Sequence, residues 1–173
     1  IQHLLGARAS VVMRRVGELI ATSVTIMGVL LLPIVLPAVL GHDTTLYRWV
    51  DHHYMEGNHA LHSKMPYLNT GFFLGRMVFY FVFWSLASQF WLKRSFKQDK
   101  EPNDFTLMRK LQGQAAPGLI LFTIAVTFCA IDLLMSMDAL WFSTIFGVYY
   151  FSTCVITFHC TLALILMWLQ RRG

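Results

Sequence analysis

Four long stretches of this sequence carry almost no charge, and that feature leaves the chain very few ways to fold. The stretches cover residues 19–42, 65–92, 111–131 and 139–170, and Arg76 is the one Asp, Glu, Lys or Arg among them. Each is long enough to supply the ~20 apolar residues with which a helix crosses a ~30 Å hydrocarbon core. The sequence therefore predicts an integral membrane protein.

The composition agrees with this prediction. Hydrophobic residues make up 56% of the chain and charged residues 13%, whereas a soluble domain uses about 25% charged residues to cover its surface. The same composition excludes a disordered chain, a secreted disulfide scaffold and a typical cytosolic enzyme.

The predicted fold class is all-α: an integral membrane four-helix bundle that forms a single transmembrane domain over residues 1–173. We expect the spans at about 16–40, 70–92, 116–137 and 142–169. Helices are predicted because lipid offers no partner to unpaired backbone groups. The short alternating strands of a membrane barrel are not present in the sequence.

The distribution of Lys and Arg predicts the orientation of these spans. The segments before the first span, between the second and third, and after the fourth carry eleven of them, whereas the other two connections carry Arg48 and Lys64. Basic residues concentrate on the cytoplasmic side, so both termini are expected there. The sequence pI near 9.3 then reflects topology and contact with anionic lipid. No basic patch is interleaved with exposed aromatic residues, so nucleic-acid binding is not expected.

Ionisable residues inside the spans are the candidate functional residues. They are Glu18, Arg76, Asp132 and His159, with Asp138 at a span end. Each costs at least ~2.5 kcal/mol at the centre of a bilayer and is a functional candidate by default. At ~1.5 Å per residue, Arg76 and Asp132 lie at similar depths, about two turns from the outer ends of their helices. An ion pair between them is expected, either as a structural pair or for quinol or proton handling.

The five candidates also divide by depth. Glu18 and His159 fall in the inner half of the membrane, and Arg76, Asp132 and Asp138 fall in the outer half. Hydroxyl side chains between them would suit a proton path, or would arise from ordinary interhelical hydrogen bonds. Glu18 could equally be a snorkelling carboxylate, and a histidine inside a helix often bonds to a neighbouring helix.

Several cofactor sites find no support in the sequence. Cys129, Cys154 and Cys160 lie within spans and form no CxxC pair, which leaves iron–sulfur and c-type haem sites unsupported. His159 is the only histidine inside a span, so this segment alone cannot supply two axial ligands to a b haem. Five of the seven histidines lie in the outer connection after the first span. They are His42, His52, His53, His59 and His62, for which docking of a periplasmic partner is favoured over a metal site.

Aromatic residues near the predicted span ends are interpreted as interfacial anchors. Residues 102–111 are predicted to form a separate, capped, basic helix that lies along the membrane surface. The anchors are Tyr47, Trp49, Tyr67, Trp91, Trp141 and Trp168.

One run of the sequence carries a family resemblance. Residues 132–150 read DLLMSMDALWFSTIFGVYY, and upstream stand Lys64, the triplet YLN at 67–69, and Arg76. These segments resemble the NrfD/polysulfide-reductase-like membrane subunit, of the F type, of alternative complex III, a bacterial quinol:cytochrome c oxidoreductase. The resemblance covers about residues 45–155. The chain departs from the family pattern at Leu133, where Trp is usual, and at residues 139–140.

The resemblance implies a bacterial inner-membrane, multi-pass subunit of a respiratory electron-transport complex. This chain, which begins at Ile1 without Met, would be one piece of a larger NrfD-like subunit of about ten spans. The implied partners are a multihaem cytochrome, an iron–sulfur subunit, a sister NrfD-like subunit and membrane lipid. The chain itself would bind no redox metal, and menaquinol or ubiquinol is the implied ligand. By resemblance, Arg76, Asp132 and Asp138 belong to the quinol-facing outer half.

Three functions remain open from the sequence. In the first, the chain contributes a quinone site or a proton path, with Asp132 accepting quinol protons, Arg76 holding its charge, and Glu18 and His159 nearer the cytoplasmic exit. In the second, it is a non-catalytic scaffold of the same complex. In the third, it is a fragment of a secondary transporter whose polar residues bind a solute.

Overall fold

The computed structural model describes residues 11–40, 46–57, 59–100 and 105–172. Those residues form α-helices, two short 3-10 turns and no strand, so the predicted all-α fold class is confirmed. The 3-10 turns are Arg48–Val50 and Met135–Met137. The helices are α1 (Val11–Thr22), α2 (Val24–Val39), α3 (His52–Glu56), α4 (His59–His62), α5 (Thr70–Lys100), α6 (Phe105–Leu133) and α7 (Phe146–Arg172).

Four segments within the described residues are long and apolar enough to cross a membrane. They are Arg15–Pro37, Thr70–Gln98, Arg109–Met137 and Phe146–Arg172, close to the four predicted spans. In the first and the last, only 6% of the most apolar window is buried inside the bundle. A bilayer or further protein must therefore cover most of these two helices. The cytoplasmic placement of both ends stays a prediction from the charges.

The first span is two helices, which the sequence did not predict. The break falls at Ser23, whose backbone N–H and side-chain hydroxyl both donate to the Ile20 carbonyl oxygen, at 3.1 and 2.7 Å. An i to i−3 bond of this kind tightens the chain into a 3-10 turn, and a serine hydroxyl competes for the same carbonyl. Beyond the break, Thr25 and Ser85 share a 2.9 Å hydrogen bond between α2 and α5.

Three glycines mark where helices approach closely, among them Gly147 of α7, where an added Cβ would collide with Thr127 of α6. A Cβ added to Gly28 of α2 would lie 2.7 Å from Cδ1 of Phe81 on α5. A Cβ added to Gly17 of α1 would lie 3.1 Å from Cζ of Phe158 on α7. The absence of a side chain at these positions is what allows each pair of helices to pack.

The densest part of the core lies at one end of the bundle, under the connection formed by residues 46–69. Tyr47 and Trp49 are 2% and 3% exposed and pack against Phe73, with ring centroids 5.4 and 5.2 Å away. Their interpretation as interfacial anchors is therefore wrong, because the connection folds back over the helix ends and buries them. Trp141 and Trp168 are 46% and 53% exposed, as anchors are.

The same connection is less polar than predicted from its histidines. Met55, Leu61 and Leu68 are all buried beneath it, and Leu61 is completely inaccessible. At the other end, the separate surface helix predicted over 102–111 is also wrong. Residues 102–104 lie outside the described chain, and from Phe105 the backbone runs as one helix to Leu133, straight through Gly113 and Pro117.

Candidate functional site

A buried ion pair joins α5 to α6. Asp132, in the last turn of α6, is 0% exposed. Arg76 of α5 donates two hydrogen bonds to its carboxylate, from Nε to Oδ2 at 2.8 Å and from Nη2 to Oδ1 at 2.9 Å. The Tyr80 hydroxyl donates a third, to Oδ2, at 2.9 Å. The expected pair between Arg76 and Asp132 is present, in the bidentate geometry that guanidinium and carboxylate favour.

Neighbouring groups hold the Arg76 guanidinium from several sides. Its Nη1 donates to the Tyr67 carbonyl oxygen at 3.2 Å. Its central carbon lies 3.9 Å from the centre of the Tyr67 ring and 4.3 Å from that of Phe72. Contacts between a cation and aromatic rings at this range are attractive, most of all where water is excluded. The guanidinium is thereby fixed in one orientation toward Asp132.

The end of α6 beside Asp132 is held by side chains that bond to its carbonyls. The Tyr47 hydroxyl donates to the Leu133 carbonyl oxygen at 3.2 Å, and Ser136 Oγ donates to that of Asp132. Lys64 Nζ donates to the Ala139 carbonyl oxygen at 2.6 Å. The last carbonyls of a helix have no partner within the helix, so the first two bonds satisfy carbonyls of α6 and help to fix the position of Asp132. The third bond lies beyond the helix and holds the connection that follows it.

Two tyrosines outside the membrane spans lie close to this carboxylate. Burial raises the pKa of Tyr47 to about 12, with added effects of Cys129 and of the Asp132 charge. Burial is also the largest cause that raises the pKa of Tyr67, and the neighbouring Asp132 carboxylate adds to the effect. The buried Tyr67 hydroxyl makes no hydrogen bond to the described residues. The Tyr67 hydroxyl and the Asp132 carboxylate therefore lie near each other without forming a hydrogen bond.

A cleft of about 580 Å³ lies between α5 and α6 next to the ion pair. Arg76 and Tyr80 line it, and Asp132 lies behind them. Its other walls are aromatic or aliphatic, and several of them, such as Phe79 and Leu121, are more than half exposed. The cleft therefore opens to the outside of the bundle, where lipid would meet it. The remaining lining residues are Tyr67, Phe72, Gly75, Phe83, Ile124, Ala125 and Phe128.

The other three predicted residues lie elsewhere. Asp138 follows the second 3-10 turn, and its Oδ1 accepts a 3.1 Å hydrogen bond from the backbone N–H of Leu140. Glu18 lies 3.5 Å from Arg15 one turn earlier in α1. His159 is exposed on α7, and its Nδ1 lies 2.8 Å from the Val155 carbonyl oxygen. Of the five candidates, the structure brings Arg76 and Asp132 together.

Sequence reasoning missed Tyr80 and misread Tyr67. Tyr80 stands four residues after Arg76 in α5, a spacing that places both on one helix face, so the position of Arg76 was a usable signal. Tyr67 was interpreted as an interfacial anchor because of its place at a span end. Its contact with Arg76 depends on how the connection folds, for which the sequence carries no local pattern.

Among the described residues, no group of three or more His, Cys, Asp and Glu side chains gathers in a way that would hold a metal ion. His42 of the outer connection lies outside those residues. No protein-family model matches the sequence, and no curated protein is significantly similar to it.

Proposed function

We propose that this chain is part of a membrane subunit of a respiratory quinol oxidoreductase of the alternative complex III type, and that the cleft beside Arg76 receives the quinol ring. The observation that carries the proposal is a buried carboxylate, held by Arg76 and Tyr80, directly behind an aromatic cleft open to lipid. The resemblance of residues 132–150 supplies the class of complex. The bacterial inner membrane is the proposed location.

The lining of the cleft suits a quinol. A quinol headgroup is a flat ring with two hydroxyl oxygens, and it reaches its site from the lipid phase. The aromatic walls at Phe72, Phe79 and Phe128 match the ring, since aromatic pairs favour offset or edge-to-face contact. Arg76 has five N–H donors, of which three make the bonds described above. Two remain for a ligand oxygen.

Tyr80 connects the cleft to Asp132. Its ring lines the cleft, while its hydroxyl donates to Asp132 Oδ2. In the proposed reaction the quinol hydroxyl gives a proton to the Tyr80 oxygen as Tyr80 passes its own proton to Asp132. Full oxidation of the quinol releases two protons and two electrons. The route takes one proton at a time, so Asp132 would release the first before it accepts the second, and the two electrons would pass to the haem and iron–sulfur groups of the partner subunits. Arg76 keeps Asp132 oriented throughout.

The test is quinol-dependent cytochrome c reduction by the assembled parent complex. Tyr80→Phe removes the hydroxyl and keeps the ring that lines the cleft. Positioned proton transfer contributes about 10²–10⁴-fold to a rate, so we expect turnover per assembled complex to fall about a hundredfold or more. Tyr54→Phe is the matched control, because Tyr54 does not line the cleft. Unchanged turnover in Tyr80→Phe would contradict the proposal.

The geometry of Asp132 also favours a second candidate, a non-catalytic scaffold of the same complex. The carboxylate already accepts three hydrogen bonds, which is the arrangement of a structural ion pair. Removing one partner of such a buried pair costs about 3–5 kcal/mol. A scaffold role predicts that Asp132→Asn lowers the amount of assembled complex and leaves turnover per assembled complex intact. The proposed quinol role predicts that both fall.

A further inference from the structure

Most of α7 is exposed, and one of its exposed seams carries a histidine in the middle of the helix. Tyr149, Ser152, Ile156, His159 and Ala163 are all exposed, and we call these five residues the open face of α7. They follow one another at alternating spacings of three and four residues. That repeat places side chains along one seam of a helix, and the seam lies in a segment long and apolar enough to cross a membrane.

His159 is the residue of this face that lipid accommodates worst. It is the middle residue of α7, which runs Phe146–Arg172, so at ~1.5 Å per residue it lies about 20 Å from either end. Ionisable and polar residues at that depth almost always face protein or a water-filled cavity. The exposure of His159 therefore indicates that protein covers this face in the membrane.

The hydrogen bonds of the open face define what the covering protein must offer. A carbonyl oxygen only accepts, so His159 Nδ1 carries the proton that bonds to Val155. In the neutral ring this leaves Nε2 as an acceptor. The Ser152 hydroxyl donates to the Val148 carbonyl oxygen at 2.9 Å, which leaves its oxygen as an acceptor too. The Tyr149 hydroxyl can donate, but it lies ten residues, about 15 Å, from His159 along the helix. The polar groups at the centre of the face, His159 and Ser152, are thus acceptors in need of a donor.

We infer that the open face of α7 is a docking surface for a transmembrane helix of a different sequence, which donates a hydrogen bond to His159 Nε2. The donor is a side chain of Ser, Thr, Asn, Gln, Tyr or Trp. A lipid chain has no donor to give. A second copy of this chain, paired about a two-fold axis, would present the same surface and set acceptors against acceptors.

Two residues of the open face would let a partner helix lie close to α7. Ser152 and Ala163 have small side chains, which let two backbones approach closely in a membrane. This inference uses no residue of the cleft or the ion pair, so it stands independently of the proposed function.

The test is photo-cross-linking in native membranes with the full parent polypeptide. A benzophenone amino acid replaces Ile156, at the centre of the open face, and, as the control, Val78, which is 62% exposed on α5. Each cross-linking position is examined in three backgrounds. They are the unchanged His159, His159→Leu, which removes the acceptor nitrogen, and His159→Gln, whose amide oxygen supplies an acceptor in its place. Mass spectrometry of the adduct identifies the cross-linked segment.

From position 156 we expect a discrete adduct with a transmembrane helix that carries a donor side chain within one turn of the cross-link. Interhelical hydrogen bonds contribute about 0.6–1.7 kcal/mol, so the yield should fall about three- to twentyfold in His159→Leu and persist in His159→Gln. Adducts from position 78 should be the same in all three. Three outcomes overturn the inference: lipid adducts alone at 156, an adduct with a differently tagged second copy, or a yield that His159→Leu leaves unchanged.

Discussion

The ammonium group of Lys64 donates a 2.6 Å hydrogen bond to the carbonyl oxygen of Ala139, and this contact joins the connection before α5 to the connection after α6. Both connections adjoin the ion pair of Arg76 and Asp132. The lysine therefore helps to hold the ends of α5 and α6 in register at the level where the cleft lies.

Replacing Lys64 with Met should weaken this junction. Met keeps the aliphatic length and loses the charged donor, and a hydrogen bond to a charged group contributes about 1.5–3 kcal/mol. We expect the free energy of unfolding to fall by about 1.5 kcal/mol, the lower end of that range, because Lys64 is only half-buried. Thermal unfolding in detergent measures it. Lys93→Met, an exposed lysine near the far end of α5, is the control, and an equal effect of the two changes would contradict the assigned bond.

Replacing Arg76 with Gln should destabilise the bundle more than replacing Lys64 with Met. The change leaves the fully buried Asp132 carboxylate without its cation, and breaking a buried pair from one side costs about 3–5 kcal/mol. Arg48→Gln, at an exposed position of the connection, should have little effect. The measurement is again unfolding in detergent. A double variant, Arg76→Gln with Asp132→Asn, should recover part of the loss, since it also removes the uncompensated charge.

The raised pKa of Tyr47 predicts a loss of stability at high pH. Its pKa is about 12 in the fold and 10.0 in its ordinary state. The folded protein then holds the phenol proton more tightly, so the stabilisation is complete below pH 10 and disappears as the pH rises toward 12. The slope contributed by one group is at most about 1.4 kcal/mol per pH unit. Unfolding measured across that range should show it, and Tyr47→Phe should have a flatter profile. An identical profile in the variant would exclude Tyr47 as the cause.

Gly28 should tolerate no side chain. A Cβ there would lie 2.7 Å from Cδ1 of Phe81, and overpacking of this kind costs about 1–3 kcal/mol. We expect Gly28→Ala to destabilise the contact of α2 with α5. Gly113→Ala is the matched control, because a Cβ at Gly113 of α6 meets nothing within 4 Å and alanine favours a helix. The double variant Gly28→Ala with Phe81→Leu should recover stability if the ring is the obstacle.

The sequence was sufficient for features that depend on length, charge and depth. Four charge-poor stretches gave four candidate spans, and the similar depths of Arg76 and Asp132 in antiparallel neighbours predicted their ion pair. Features that depend on how the chain folds back could not be predicted in the same way. Tyr47 and Trp49 look like interfacial residues from their positions, yet they are buried because the connection covers the helix ends. The break at Ser23 depends on a hydrogen bond from its hydroxyl to the Ile20 carbonyl oxygen of the same span. The absence of charge along the span does not predict that bond.

The one-sided distribution of the core has a mechanical consequence. At the end that holds Tyr47, Phe73 and Asp132, helices and connection are held together by tilted aromatic ring contacts and by hydrogen bonds to carbonyls. Toward the basic end, Leu111 and Ala115 are among the few buried apolar side chains. A pulling force applied across the bundle would part the basic end first. The end around the ion pair would stay together while the long helices separate at the other end.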